Sequence, residues 1–528
     1  MNNVLDKRRA GILLHITSLP STLGLGSMGR EAYRFIDFLR DCNLSVWQML
    51  PIHPLHRVPI GTPHRDFLSP YQPMSAFAGN PMLINLKKLI DKGWLPRMTL
   101  PTYFSDQIEQ AFEYRRQCLK NASSHFVKHA SPEDKQAFDD FIEQQRYWLK
   151  DYALFCALKD FYSGACWWNW SNIGHRNRDP DALSQFMQRE SKKYCLEQYY
   201  FEQFAFFTQW QELKQYANDN GVYLFGDMPF FIARDSVEVW AHREYFQLDE
   251  TQSPLFLSGM PPEMDYFYSD KGECWGHPIY HWGGLQEDGF VWWARRFEML
   301  SKLFDLVRLT YFQGFHQCWA VCNPNTQLRP VPSHGEWQTT PQQLLTQLLH
   351  ENCSLMVADD VGVSEEILNL RTLRKIYGMK ILQFAFDLRQ SNPFKNHHLP
   401  HHHLPMDVVY TGTHDSDTTM SWLTRISVDT KKLDHVISYV NPSLDTRLPD
   451  RMLEDVVWSL IQLAFASVAK LAIIPMQDIL LLGKEHRMNS PKKTSFRSRN
   501  WRWQFDWAQP KREIERKLKQ WTEQYERN

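Results

Sequence analysis

No apolar run in the chain approaches the ~18 residues that would cross a bilayer. The stretch Gly11–Ile16 is also too short for a signal-peptide core behind the polar segment Met1–Ala10. A basic excess is missing as well, with 59 Lys and Arg against 60 Asp and Glu, a formal net charge of −1. Nucleic acids and anionic membrane surfaces both attract a positive surplus, so neither is an expected partner. Cysteine is sparse and unpatterned. Nine are spread from Cys42 to Cys353 without zinc-like pairs, and Cys318 and Cys322 are the closest spaced. They read as reduced thiols of a cytoplasmic protein. No internal repeat stands out. The only low-complexity patch, His397–His403, reads as a solvated loop rather than a metal site, because Pro400 interrupts it and nothing fixes a geometry.

What is present is length and aromatic content. At roughly 150 residues per domain, 528 residues make about three units or one large α/β barrel with insertions. Eight strand-length apolar runs recur: Gly11–Ile16, Ser45–Pro51, Val222–Pro229, Leu306–Tyr311, Leu355–Asp360, Ile381–Phe386, Val408–Gly412 and Leu471–Asp478. Each is dense in Val, Ile, Leu or Phe, as strands buried on both faces are. Helical periodicity lies between them. Ala32, Phe35, Ile36 and Leu39 share one face, Thr340–Pro341 suggests a helix start, and so does Asp455. Eight strands alternating with helices predict a single (β/α)8 barrel over 1–528, the TIM-barrel class of α/β folds. Two large insertions are expected on it: a helical one over 86–221, with a helix start at Ser131–Pro132, and a Trp-, Pro- and Gly-rich one over 234–297 beside the cleft.

The active site of such a barrel sits at the C-terminal ends of its strands. The candidates there are Asp227, Arg308, Thr310, Asp359 with Asp360, His414 with Asp415, and Gln477 with Asp478. A ring of carboxylates with one Arg and one His suits glycosidic-bond chemistry, in which one group protonates the leaving oxygen and negative charge faces an oxocarbenium ion. A lone Asp at a strand end is more often a cap or a salt-bridge partner, whereas several converging on one rim point to a site. Trp167, Trp168, Trp170, Trp275, Trp292 and Trp293 lie in or beside the insertions, where indole faces suit pyranose rings, although each alone suits core packing equally. The G-x-G-x-x-G match at Gly24–Gly29 misleads. Thr17–Leu23 separate it from the strand, and no carboxylate follows the next one, against a dinucleotide site.

At these residues the chain resembles the 4-alpha-glucanotransferases, or amylomaltases, of glycoside hydrolase family 77. The resemblance runs nearly end to end. It is carried by Gly11-Ile12-Leu13-Leu14-His15, Ser69-Pro70-Tyr71-Gln72, Ser75-Ala76-Phe77-Ala78-Gly79-Asn80-Pro81 and Gly226-Asp227-Met228-Pro229. Asp235-Ser236, Val239-Trp240, Trp275-Gly276, Tyr410-Thr411-Gly412-Thr413-His414-Asp415 and Arg487-Met488-Asn489 complete it. It implies a retaining transferase that cuts an α-1,4-glucan or maltooligosaccharide, holds the glycosyl unit on an aspartate and passes it to another 4-hydroxyl. Tyr71, Asp227, Arg308, His414, Asn489 and Trp275 would contact sugar, and no cofactor or metal is implied.

Two family positions are substituted. The nucleophile segment, roughly Arg-Ile-Asp-His-Phe-Arg-Gly-Phe, reads Arg308-Leu309-Thr310-Tyr311-Phe312-Gln313-Gly314-Phe315, with Thr310 at the nucleophile position. The acid/base segment, Ala-Glu-Asp-Leu-Gly, reads Ala358-Asp359-Asp360-Val361-Gly362, with Asp359 for Glu. Asp415 keeps the transition-state stabiliser. Tyr311 stands for His, Gln313 for Arg and Glu273 for the usual Gln, and the loops His56–Leu68 and Pro261–Lys271 look longer than the family norm. A threonine hydroxyl is neutral and needs an adjacent base. An Asp for Glu withdraws the acid by about one C–C bond, ~1.5 Å, and ~1 Å of misplacement can cost ~100-fold. Asp305 sits at the strand entry and is not expected to substitute. The sequence leaves two readings: a weak or altered transferase, or an inactive module that binds α-glucan or a protein.

Overall fold

The computed structural model describes residues 4–56, 68–101, 108–190, 193–262, 272–323, 330–351, 355–360, 365–386, 396–441, 449–491 and 500–528. Eight parallel strands form one sheet: β1 (Arg9–Leu13), β2 (Val46–Gln48), β3 (Tyr223–Met228), β6 (Leu306–Leu309), β9 (Leu355–Ala358), β10 (Gly378–Ile381), β11 (Asp407–Tyr410) and β12 (Leu471–Pro475). Their order is β10-β11-β12-β1-β2-β3-β6-β9, and a parallel bridge between Val357 and Tyr377 closes the ring. The (β/α)8 TIM barrel is therefore the fold. β1 and β12 are buried at every position, as strands between a filled barrel interior and an outer layer of helices must be. Gly11 is required by this closeness, since a Cβ there would lie 2.2 Å from the carbonyl oxygen of Val46. The helix Arg30–Asp41 buries Ala32, Phe35, Ile36 and Leu39 against the sheet.

Most expected strands fall where the apolar runs lie, and the sixth does not. The strand is Gly378–Ile381, and Leu382–Ala385 turns as a short helix. Both stretches are buried, so hydrophobicity could not separate strand from helix, and the buried Lys380 disguised the true strand. Two helix starts also differ. Thr340 donates to the carbonyl of Gly314 instead of capping, and the helix expected to open at Asp455 already runs from Pro449. Ser131 does cap the helix Pro132–Gln144, accepting from the amide of Asp134 at 3.1 Å.

Between β2 and β3 lie helices including Ile108–His129, Pro132–Gln144, Arg146–Phe161 and Leu196–Asp219. A feature the sequence did not announce is a second, antiparallel sheet, β5-β4-β7-β8, formed by β4 (Phe256–Met260), β5 (Glu273–Pro278), β7 (Gln317–Cys322) and β8 (Gly335–Thr339). It stands over the rim beside the turn after β6. The histidine patch is solvated only in part: His401 and His402 are exposed on the short turn Pro400–His402. His398 and His403 are buried, and the His403 ring bonds to Ser467 Oγ at 2.7 Å and the carbonyl of His398 at 2.9 Å. No helix among the described residues is long and apolar enough to cross a membrane, and no His, Cys, Asp or Glu group among them forms a metal-holding cluster. Residues 57–67 and 263–271, which make up most of the two lengthened loops, lie outside the described residues, as do Val361 and Gly362.

Candidate active site

Register brings the rim residues together. Asp227 and Arg308 are paired neighbours on β3 and β6, and both side chains are buried. Asp227 accepts three donors: Tyr71 OH at 2.7 Å, Arg308 Nη1 at 2.8 Å and the Thr310 hydroxyl. The other arm of the guanidinium, Nη2, lies 2.6 Å from Asp359 Oδ2, one residue beyond β9. Burial alone would lower the Arg308 pKa, but the two carboxylates more than reverse this and raise it well above its ordinary value. One cation thus joins two carboxylates across adjacent strands, a geometry suited to the planar fork of arginine.

Thr310 owes its direction to its neighbours. Its amide donates to the carbonyl of Met228 at 3.1 Å, continuing the β3–β6 ladder, and Tyr311 then turns the chain with φ at +54°. A left-handed φ is uncommon for a bulky residue and is held only where the surroundings insist. Here the Tyr311 ring packs edge-on to Trp275, centroids 5.0 Å apart, and against Phe231 at 5.5 Å. Trp275 is fixed in turn by its Nε1 donating to Glu273 Oε2 at 2.9 Å. Gln313, four residues past β6, is 4 % exposed, and neither amide atom has a hydrogen-bond partner among the described residues.

The other side of the rim comes from the loop after β11. Asp415 Oδ2 lies 3.2 Å from His414 Nε2, its Oδ1 accepts from Asn489 Nδ2 at 2.6 Å, and Arg487 donates to its carbonyl at 2.8 Å. Burial pushes the Asp415 carboxyl up, but the charge and hydrogen bond of His414, the Asn489 amide and the Arg308 charge together hold it down at about 2. His414 stacks on Tyr71 with centroids 5.2 Å apart, so Tyr71 links the Asp227–Arg308 cluster to Asp415. Trp501 leans on both rings, 5.9 Å from Tyr71 and 6.0 Å from His414. Sequence reasoning passed over Trp501, although it lies close behind Arg487-Met488-Asn489 in an aromatic-rich stretch.

Not every strand-end candidate belongs here. Asp360 is buried, lies 3.0 Å from Arg371 and accepts from the amide of Met379. Asp478 binds Thr411 and Thr419 hydroxyls at 2.6 and 2.7 Å, and Gln477 donates to the carbonyl of His486. Their partners are structural. Asp305 receives the amide of Leu224 and Asn218 Nδ2 at the opposite end of the strand. Of the six tryptophans, Trp167, Trp170 and Trp293 are packed into the core, whereas Trp275 stands beside the cluster.

Tyr71, Asp227, Arg308, Thr310, Asp359, His414, Asp415, Asn489 and Trp275 form a polar cluster walled by aromatic rings. It is suited to a ligand that presents both hydroxyls and an apolar ring face. A family model described as 4-alpha-glucanotransferase matches residues 14–509. The 4-alpha-glucanotransferase of Thermus thermophilus is 41% identical over 504 residues, covering 94% of each chain, and that of Synechocystis sp. is 41% identical over 515 residues, covering 95% of this chain and 94% of its own. Among solved structures, the amylomaltase from Streptococcus agalactiae in complex with acarbose superposes with a TM-score of 0.86 at 31% identity, over 99% of this chain and all of the other.

Proposed function

The chain belongs to the 4-alpha-glucanotransferase family, and from that membership we propose that its cleft takes an α-1,4-glucan or maltooligosaccharide, with retaining transfer weak or lost. The retaining route has fixed requirements. A carboxylate attacks the anomeric carbon while an acid gives its proton to the departing 4-oxygen, and the resulting glycosyl ester is opened by the 4-hydroxyl of a second glucan. In the reading adopted here Thr310 occupies the nucleophile position, Asp359 the acid/base position and Asp415 faces the developing positive charge. Tyr71, Asp227, Arg308, His414, Asn489 and Trp275 bind sugar.

The observation that carries this reading is the bond from the Thr310 hydroxyl to Asp227. It places a carboxylate beside the threonine, yet that carboxylate already receives Tyr71 and Arg308. A carboxylate so saturated is a poor base for an alcohol, whose proton is held far more tightly than a carboxylic acid's. Attack by Thr310 would also form an acetal rather than an ester. An acetal is no more reactive than the bond that was cut, so it would not drive transfer onward. Asp359, meanwhile, holds Arg308 at 2.6 Å instead of standing free toward a leaving oxygen.

The second reading, a module that binds α-glucan or a protein without turnover, is favoured by Gln313. A neutral amide stands there where the resemblance has Arg, buried with neither atom partnered among the described residues, so the site carries a further departure from a working transferase. Calorimetric titration with maltoheptaose tests the binding claim. Wild-type protein is expected to bind, and Arg308→Ala to weaken binding at least about tenfold, ~1.4 kcal/mol. No heat of binding with wild type would reject a glucan cleft.

A further inference from the structure

Thr310, Asp359 and Asp415 are each partly exposed, the side chains of the two aspartates at 20% and 32%, whereas Asp227, Arg308 and His414 are buried. Arg308 and Thr310, two apart on one strand, both reach Asp227 and so share a face. Thr310 and Asp359 follow the paired residues Leu309 and Ala358, which sets them on neighbouring strand ends about 4.8 Å apart. A hydroxyl and two carboxylates therefore meet the solvent of the cleft over a buried base of charge.

This set is poor at one task and fit for another. Asp359, ion-paired with Arg308 through Oδ2, carries no proton to give to a departing glucan. Its Oδ1 accepts no hydrogen bond among the described residues, so it is placed to take the proton of an incoming hydroxyl. Thr310 leaves room where a carboxylate would reach: its hydroxyl ends about one bond, ~1.5 Å, short of a carboxylate oxygen at the same position. That is space for one more atom on the anomeric carbon, on the face opposite the 4-oxygen. A leaving group held there is β-configured. Asp227 keeps Tyr71 and Arg308 when Thr310 turns its proton away, so that hydroxyl is able to donate to a departing anion.

We propose that this cleft transfers glycosyl units from β-configured donors whose leaving group departs as a small, singly charged anion, by one displacement with inversion. The 4-oxygen of an acceptor glucan forms the new bond to the anomeric carbon. The bond from that carbon to the leaving atom breaks, its electron pair departs with the anion beside Thr310, and the hydroxyl proton passes to Asp359 Oδ1. Asp415 faces the positive charge that develops between the two. The product is an α-1,4 link, made without a glycosyl ester and without an acid. Three carboxylates on the rim weigh against a doubly charged leaving group such as phosphate. This activity rests on the glucan reading of the cleft, with Thr310 at the nucleophile position.

The test gives full-length protein maltotriose as acceptor with β-maltosyl fluoride or α-maltosyl fluoride as donor, and reads fluoride release and maltopentaose. Wild type is expected to form α-linked maltopentaose from the β-fluoride and none from the α-fluoride. Asp359→Asn is expected to slow this about 100-fold or more, the share a general base supplies. Thr310→Asp is expected to reverse the preference toward the α-fluoride, a change that misfolding cannot mimic. Turnover of the α-fluoride by wild type overturns the proposal, because that anomer needs a nucleophile. Two inert fluorides beside maltoheptaose binding in calorimetry overturn it and leave the glucan cleft standing. Two inert fluorides without binding overturn both.

Discussion

The hydroxyl of Thr310 donates a hydrogen bond to the carboxylate of Asp227. That one bond ties Thr310 to the floor of the site, where Arg308 and Tyr71 converge on the same carboxylate. Asp227→Asn keeps the shape but removes the charge facing a buried guanidinium. Breaking a buried pair costs about 3–5 kcal/mol; Arg308 retains Asp359, so the loss is expected near the lower end, about 3 kcal/mol. Urea unfolding reads it, and an unchanged midpoint would show that Asp359 alone satisfies Arg308.

Gln313 gives the opposite sign. Its side-chain amide is buried with both atoms unpartnered among the described residues, a penalty of about 1–3 kcal/mol. Gln313→Met, which fills similar volume without polar atoms, is expected to raise the thermal midpoint. A fall would mean that the amide is satisfied in solution.

Asp415 sets the acid response of the rim. Its carboxyl sits at about 2 in the folded chain, below the ordinary ~3.9, so the folded state holds this proton less tightly than the unfolded state. The resulting stabilisation is complete above the ordinary value and drains away as pH falls through about 2. Asn489→Leu removes one bond to the ionised form. The carbon-13 titration of Asp415 should then move to higher pH, and no movement would detach Asn489 from the carboxylate.

Lys159 is 1 % exposed and holds Asp235 at 2.6 Å while donating to the carbonyls of Gly164 and Ala165. Lys159→Met would leave Asp235 without its main counter-charge, at a cost of about 3–5 kcal/mol. Equilibrium denaturation measures this, and a loss under about 1 kcal/mol would place the pair in effective contact with water.

The barrel was legible because strands buried on both faces are apolar over most of their length, as β12 is throughout and β1 is beyond Arg9. The antiparallel sheet was not. Its strands are partly exposed, and β5 spells Glu273-Cys274-Trp275-Gly276-His277-Pro278, a composition shared with loops. Of the strand-end carboxylates, Asp359 and Asp360 are neighbours that go opposite ways, one to Arg308 and one to Arg371. Side-chain alternation separates them, but choosing which of the two faces the cleft needs the neighbouring strand. Trp501 reaches Tyr71 and His414 from far along the chain, a contact that no local pattern encodes.

The most direct measurement compares maltotriose disproportionation by wild type with that by the Thr310→Asp, Asp359→Glu double variant. Wild type is expected to release glucose and longer oligomers slowly or not at all, and the double variant to do so faster by orders of magnitude. Redistribution by wild type at a rate equal to or above that of the double variant would contradict the account.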